Sequence, residues 1–355
     1  MPSKINVIGL MSGSSLDGID LVDVEFWSDS NWHFGIIARD NYDYDTEWKK
    51  ALSDAFYMTP KQLKDLDLRY GKLLGQVTKE FIDKYQLKPE IVASHGHTIF
   101  HRPEQHYTLQ IGNGQALADA CGIKVINDFR TEDVLKGGQG APLVPIGDKL
   151  LFSDYPICLN IGGIANISYD VNGKRIAYDI CIANQALNFL AGLKGLSFDR
   201  DGLIARSGTI DKELLSKLNT NAFYTQKYPK SLGREFFEEN IKPLLENRND
   251  VADMMTTVVE HIAMQIGASA DAQNSKGEKL LITGGGAKNT YLVERIQAYT
   301  KHQAFVPADD IIDYKEALVF AFLGLLRSRN EINVLCSVTG AESDSCSGKI
   351  FLPLS

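Results

Sequence analysis

Gly9-Leu10-Met11-Ser12-Gly13-Ser14-Ser15-Leu16-Asp17-Gly18-Ile19-Asp20 follows the apolar run Ile5-Asn6-Val7-Ile8 and precedes Leu21-Val22-Asp23-Val24-Glu25-Phe26. Such a stretch fits a strand that enters a small-residue turn and a second strand that leaves it. The three glycines allow positive φ and a close backbone approach to a bulky anion, while Ser12, Ser14 and Ser15 add hydroxyl donors. Asp17 and Asp20 are suited to holding Mg²⁺ or its waters. The combination suits a nucleotide phosphate. A β-hairpin whose turn is merely polar and Gly-rich satisfies the same residues.

The wording is more specific than its chemistry. It resembles the Met-Ser-Gly-Thr-Ser-x-Asp-Gly-x-Asp signature of the 1,6-anhydro-N-acetylmuramic acid kinases, with Ser14 where Thr is usual. Those enzymes belong to the actin-like superfamily of ATPases. The resemblance implies an α/β, two-lobed actin-like (RNase H-like) ATPase fold with a nucleotide cleft between the lobes.

A chain of 355 residues is long enough for two domains, and 44% hydrophobic with 23% charged residues is ordinary for a globular protein. The net charge of -8 argues against a broad nucleic-acid or anionic-membrane surface, which needs positive potential. Cys121, Cys158, Cys181, Cys336 and Cys346 are odd in number, scattered and free of any Cys-x-x-Cys pair, which favours a reducing cytosol. Met1-Pro2-Ser3-Lys4 leads into a strand without the features of a signal peptide, and no window approaches the roughly 20 apolar residues of a membrane span. The expectation is a cytoplasmic protein.

Trp32 to Ala38 completes a three-strand meander, and two helices follow, near Glu47 to Phe56 and from Thr59-Pro60 onward. In the second, Leu63, Leu66, Tyr70, Leu73, Leu74, Val77 and Phe81 recur at helical spacing and form one buried face. Pro89 to Ser94 reads as a buried strand that ends in His95-Gly96-His97-Thr98, with His101-Arg102 beyond. Three close histidines admit a metal site, a hydrogen-bonding site for substrate, or a structural role. The spacing lacks the His-Glu-x-x-His pattern, so substrate contact is preferred. Gly122 to Arg130 adds a strand with Asp128 and Arg130 at its end, where ligands gather in open α/β sheets; a surface ion pair competes. Gly137 to Pro145 marks a loop or hinge, and the lobes are expected to span 1–145 and 146–355.

The second half repeats the plan. Pro156 to Ile161 enters Gly162-Gly163, passes through Ile164 to Tyr169, and turns at Asn172-Gly173 into Arg175 to Asp179. Helices are expected near Ala183 to Ala191 and Val251 to Ala270. Lys279 to Thr283 then enters Gly284-Gly285-Gly286, whose bare backbone suits a flat adenosine, with a helix from Thr290 to Tyr299. Lys315 to Arg329 is apolar nearly all round, fitting a core or a homodimer face equally well.

The resemblance now runs nearly the full length. Leu109 to Gly112, Asp128 to Arg130, Gly137 to Pro145, Asn160 to Ile167, Asp199 to Gly202, Lys230 to Phe237, Thr283 to Gly286 and Val338 to Ala341 all resemble family blocks in order. It implies an ATP-dependent kinase of peptidoglycan recycling that opens the 1,6-anhydro bridge and phosphorylates the freed 6-oxygen. Ser12, Gly13, Ser14, Ser15, Leu16, Asp17, Gly18, Ile19 and Asp20 would surround the β- and γ-phosphates and Mg²⁺, with Asp17 and Asp20 as the metal carboxylates. Asn160, Gly162 and Gly163 would meet the phosphates from the other lobe, and Gly284, Gly285 and Gly286 the adenosine. Asp179 would be the base, His95, Asp128, Arg130 and Asn184 would contact the sugar, and the lobes would close over both ligands. Arg130 suits the lactyl carboxylate of muramic acid.

One block departs from the family. Its Asp-Thr-Gly-Pro-Gly-Asn is Asp179-Ile180-Cys181-Ile182-Ala183-Asn184 here, with both ends kept. That change motivates a second reading, an actin-like ATPase or sugar kinase with a different acceptor. A third, a nucleotide-regulated binding protein of the chaperone type, lacks an added peptide-binding domain after the second lobe.

Overall fold

The computed structural model describes residues 3–13, 16–246, 248, 250–272 and 277–354. The chain divides into unit 1, Met1–Leu151 with Tyr314–Ser355, and unit 2, Phe152–Asp313. This differs from two consecutive lobes at 1–145 and 146–355, because the last forty-odd residues return to unit 1.

Unit 1 is built on β1 (Ile5–Ser12), β2 (Gly18–Ser28), β3 (Trp32–Asp43), β4 (Ile91–Ser94), β5 (His97–Arg102), β6 (Tyr107–Ile111) and β7 (Val125–Asn127). Its main sheet runs β3-β2-β1-β4-β7 and ends on the tail strand Lys349–Phe351, while β5 and β6 form a separate hairpin. β1 to β3 are antiparallel, and β4 and β7 continue parallel to β1. The helix Pro60–Tyr85 starts at a capping box, in which Thr59 accepts from the Gln62 backbone and the Gln62 side chain accepts from Thr59. Leu66, Tyr70, Leu74, Val77 and Phe81 are buried on its inner face, each worth about 1.5–3 kcal/mol for a fully buried large side chain.

The helix Asp309–Ser328 explains the returning tail. Phe320, Phe322, Leu323, Leu325 and their apolar neighbours are buried, so this helix belongs to the core and offers no apolar face for a partner. Gly9 of β1 has no room for a side chain because the Ala317 carbonyl lies there, and Gly324 stands against Ala93 of β4. Glycine on each side lets helix and sheet touch closely.

Unit 2 contains β8 (Ile157–Ile161), β9 (Ile164–Val171), β10 (Lys174–Ile182), β11 (Lys279–Thr283) and β12 (Gln303–Phe305), in the order β10-β9-β8-β11-β12. Again three antiparallel strands lead and two parallel strands follow. Asn172 and Gly173 both take positive φ, as a two-residue hairpin turn that follows strand twist requires. The helix Val251–Asp271 is buried along most of its length against this sheet. The repeated strand order is the duplicated α/β plan of the actin-like (RNase H-like) fold, one copy in each unit. Among the described residues no helix is long and apolar enough to cross a membrane.

Candidate active site

Within unit 1 a pocket of about 320 Å³ opens at the end of β1, lined by Met11, Ser12, Gly13, His95, Thr98, His101, Arg130 and Ala141. Residues from four separated stretches meet here because β1 and β4 run parallel and side by side, so their carboxyl ends share one edge. The His95 N–H donates to Leu10 O at 3.1 Å and ties the two ends together.

His95 and Arg130 form the polar wall. Arg130 donates from Nε to His95 Nε2 at 3.0 Å and from Nη1 to Gly140 O at 2.6 Å. Because Nε2 accepts, the imidazole proton sits on Nδ1 and reaches Gly96 O at 3.0 Å. Burial and the neighbouring guanidinium hold His95 well below its ordinary range, hence neutral. Burial also pushes Arg130 down to about 10, against the pull of Glu316 and Asp133. Its Nη2 has no partner among the described residues, which leaves a cationic donor for a ligand. His97 points elsewhere, and burial pushes it down to about 4.

Ser12 differs from its expected use. Its hydroxyl is buried, bonded to Tyr44 Oη at 2.7 Å and His97 Nδ1 at 3.0 Å, and Tyr44 Oη continues to Tyr70 Oη at 2.5 Å. The hydroxyl therefore braces the turn from within. Of the rest of the turn, Ser14 and Ser15 lie outside the described residues. Leu16 takes a positive φ of 58°, and Asp17 is exposed with its carbonyl accepting from Tyr44 N at 3.2 Å. Gly18 packs against the Tyr42 backbone, and the Ile19 side chain is in the core, so only its backbone is available to a ligand. Asp20 is in register with pocket-lining Met11 and accepts from Asn41 Nδ2 at 2.8 Å. Among the described residues no three His, Cys, Asp or Glu side chains form a metal-holding group.

Asp128 does not line this pocket; it takes a positive φ of 62° and its carboxylate meets Lys349 Nζ at 2.8 Å. Glu316 was not singled out by sequence. Its carboxyl is pushed up by burial and by Asp20, and held down by Arg130 and Lys315. Nothing local in an apolar helical run signals a carboxyl buried within reach of the Arg130 charge.

Within unit 2, Asn160, Gly162, Gly163, Asn184 and Gly284 to Gly286 converge. β8 and β11 are parallel neighbours, with Thr283 in register with Asn160, so both Gly turns leave the same edge. Ala183 N donates to Gly163 O at 2.8 Å and Asn184 N to Gly162 O at 3.1 Å; the Asn184 side chain reaches Ile161 O at 3.3 Å. Gly284, at φ 79°, has Asn160 Oδ1 and Ile161 O where a Cβ would stand, at 2.6 and 2.7 Å. Gly285 is exposed, leaving an open glycine surface.

Asp179 lies on β10 where a bulge shifts the register before Cys181. Its backbone N–H donates to Lys230 O at 3.2 Å, and its Oδ2 accepts from Leu232 N at 2.8 Å. Burial pushes its carboxyl above the usual range, partly opposed by the Leu232 bond. Ile180, Cys181, Ile182 and Ala183 are all buried in the unit 2 core. The family's altered block thus packs inward, behind the carboxylate.

A model of the family described as anhydro-N-acetylmuramic acid kinase matches residues 5–353. The anhydro-N-acetylmuramic acid kinase of Sulfurimonas denitrificans is 33% identical over 368 residues, 97% of this chain and 98% of that protein. The protein of the same name from Aliivibrio fischeri is 34% identical over 363 residues, with 97% and 98% covered. Among solved structures, Acidaminococcus fermentans (R)-2-hydroxyglutaryl-CoA dehydratase component A is similar at 13% identity and a TM-score of 0.49, with 92% of this chain and 99% of that one covered.

Proposed function

The chain belongs to the anhydro-N-acetylmuramic acid kinase family and is an ATP-dependent kinase of that amino sugar, and we propose that Asp179 is the base that opens the anhydro bridge. The carboxylate takes a proton from water as the water oxygen bonds to the anomeric carbon. The bond from that carbon to the 6-oxygen breaks, and the 6-oxygen takes the γ-phosphoryl group as its bond to ADP breaks. Capture by phosphorus replaces the general acid of ordinary glycoside hydrolysis. The product is N-acetylmuramic acid 6-phosphate, as peptidoglycan recycling requires.

The observation that carries this reading is the placement of Asp179. One oxygen is fixed by the Leu232 N–H while burial raises the proton affinity of the carboxyl, a combination suited to a positioned base. Turnover should fall as pH drops through this raised value, since the protonated acid accepts nothing. Inward packing of Ile180 to Ile182 supports the anhydro sugar as acceptor, because the changed side chains add no bulk beside the base.

In this reading His95 and Arg130 hold the sugar, with Arg130 Nη2 on its carboxylate. Gly13 and the backbone from Leu16 to Asp20 hold phosphate in unit 1. Asn160, Gly162 and Gly163 hold phosphate in unit 2, with Asn184 bracing their turn and Gly284 to Gly286 against the adenosine. Asp17 and Asp20 suit Mg²⁺, which needs one or two carboxylates beside phosphate oxygens and water rather than a protein cage. Mg²⁺ would supply charge neutralisation on the phosphates. Asp128, paired with Lys349, borders the Arg130 segment without a ligand role. A cytoplasmic enzyme fits five free cysteines. A homodimer would use the exposed Leu193, Leu196, Phe198 and Leu203 of unit 2, a point that sedimentation decides.

The test is product analysis by mass spectrometry with ATP, Mg²⁺ and anhydro-N-acetylmuramic acid in ¹⁸O-water. The expected product is 6-phosphorylated and carries ¹⁸O at the anomeric carbon, and Asp179→Asn lowers its formation at least about 10³-fold. ADP formation with the anhydro sugar intact would mean another acceptor. A fully active Asp179→Asn would remove the base assigned here.

A further inference from the structure

Four strands of unit 2 place polar residues at one level. Thr283 of β11 is in register with Asn160 of β8, Asn160 with Asn166 of β9, and Asn166 with Asp179 of β10. In-register neighbours project from the same face of a sheet. Here that face is opposite the core, because the alternating residues Leu159, Ile161, Ala165, Ile167 and Ile282 all pack into it. The ends of the row are tied down: Thr283 Oγ1 donates to Leu159 O, and Asp179 Oδ2 accepts from Leu232. The middle is not. The side chains of Asn160 and Asn166 have no hydrogen-bond partner among the described residues.

Asn166 is the anomaly of the row. It sits inside β9, between two hydrogen-bonded strands, where asparagine is disfavoured and β-branched residues are usual. A half-buried amide at such a position calls for something to bond with.

We propose that Asn166 is a further catalytic residue, whose amide oxygen accepts one hydrogen of the attacking water while Asp179 Oδ1 accepts the other. The inference rests on the reading of Asp179 as base. Directly opposed residues have Cβ atoms about 4.5–5.5 Å apart, which lets one water bond to both side chains at about 2.8 Å each. Leu232 occupies Oδ2 and leaves Oδ1 of Asp179 free to face Asn166 among the described residues. With both hydrogens held, a lone pair of the water points at the anomeric carbon. On attack the proton passes to Asp179, the new C–O bond forms, the bond to the 6-oxygen breaks, and that oxygen takes the γ-phosphoryl group. Asn166 stays unchanged throughout.

Two substitutions test this. Asn166→Ala removes the acceptor and should lower kcat about 100-fold, the scale of a misplaced reacting group, with nucleotide affinity and melting temperature near wild type. Asn166→Asp keeps an acceptor oxygen but sets a second carboxylate beside Asp179, which raises the pH at which the pair loses its proton. Its acid limb should move to higher pH by about a unit, and above that limb it should outperform Asn166→Ala. An amide that merely fills space predicts neither result. The near-isosteric aspartate keeps the test alive if the alanine variant folds poorly. An Asn166→Ala rate within about threefold of wild type, or an unmoved acid limb in Asn166→Asp, overturns the inference. If Asp179→Asn still makes the phosphorylated product, the parent reading fails instead, whatever Asn166 does.

Discussion

The turn after β1 and the turn after β8 occupy the same station in two sheets of the same strand order, yet they are held in different ways. In unit 1 the support is a side-chain network: Ser12 bonds to Tyr44 and His97, and Tyr44 to Tyr70. In unit 2 the support is backbone, with Gly162 O and Gly163 O accepting from Asn184 N and Ala183 N and the Gly284 turn pressed against Ile161. One topology thus solves the same task twice, once mainly with hydroxyls and rings and once mainly with main chain. The lesson is about tolerance. A side-chain brace loses one bond at a time, whereas a backbone brace has no spare room.

The largest effect should come from Gly284→Ala. Glycine there sits at φ 79°, ψ 166°, a region that costs other residues about 1–3 kcal/mol, and a methyl would stand 2.6 Å from Asn160 Oδ1 and 2.7 Å from Ile161 O. The expected outcome is a lower melting temperature together with loss of ATP affinity in titration by about 100-fold or more. A variant with normal melting and normal affinity would mean that this turn has slack, and the contrast between the units would fall.

Ser12→Ala should do less. It leaves His97 Nδ1 without its buried partner and costs about 1–3 kcal/mol of stability, seen as an earlier denaturant midpoint. ATP affinity should change less than about tenfold, because the hydroxyl is committed inward. Unchanged stability with affinity lost about 100-fold would show a hydroxyl that reaches phosphate instead.

That difference also marks how far the sequence could be read. Periodicity and punctuation placed the turn after β1, the helix from Pro60, the Asn172-Gly173 hairpin and the helix Thr290–Tyr299, because each is a local pattern. The repeated strand–glycine–hairpin unit disclosed the duplication. The family wording supplied Asp179 and the glycine turns. What stayed hidden depends on residues far apart in the chain: the Arg130 to His95 bond, the inward commitment of Ser12, the approach of Glu316, and the return of 314–355 to unit 1. Lys315 to Arg329 reads as apolar nearly all round, but the strands it packs against show only in the structure, where Ala317 meets Gly9 of β1, Gly324 meets Ala93 of β4 and Phe322 meets Phe26 of β2. The Ile180 to Ala183 change looks like added bulk until β10 is seen to turn it into the core.

The smallest effect sharpens the contrast through pH. β2 of unit 1 buries Asp23, in register with Ile8, with Asn6 Nδ2 donating at 3.3 Å to Oδ2 and no hydrogen-bond partner for Oδ1 among the described residues. The corresponding β8–β9 pair sets Cys158 against Ser168, and no acid is buried there. Burial raises Asp23 to about 6, against the pull of Asn6. The folded state therefore binds a proton that the unfolded state releases at lower pH. Its contribution is fully present below the ordinary carboxylate value of 3.8 and is lost as pH rises through about 6. Asp23→Asn, which keeps an acceptor for Asn6 and carries no charge, should raise stability at pH 7 by at most about 3 kcal/mol and leave it nearly unchanged at pH 4. Chemical denaturation at the two pH values reads the difference directly. A variant less stable than wild type at pH 7 would mean that the ionised carboxylate is welcome in β2, and that the sheet of unit 1, like its turn, depends on a polar network wider than Asn6.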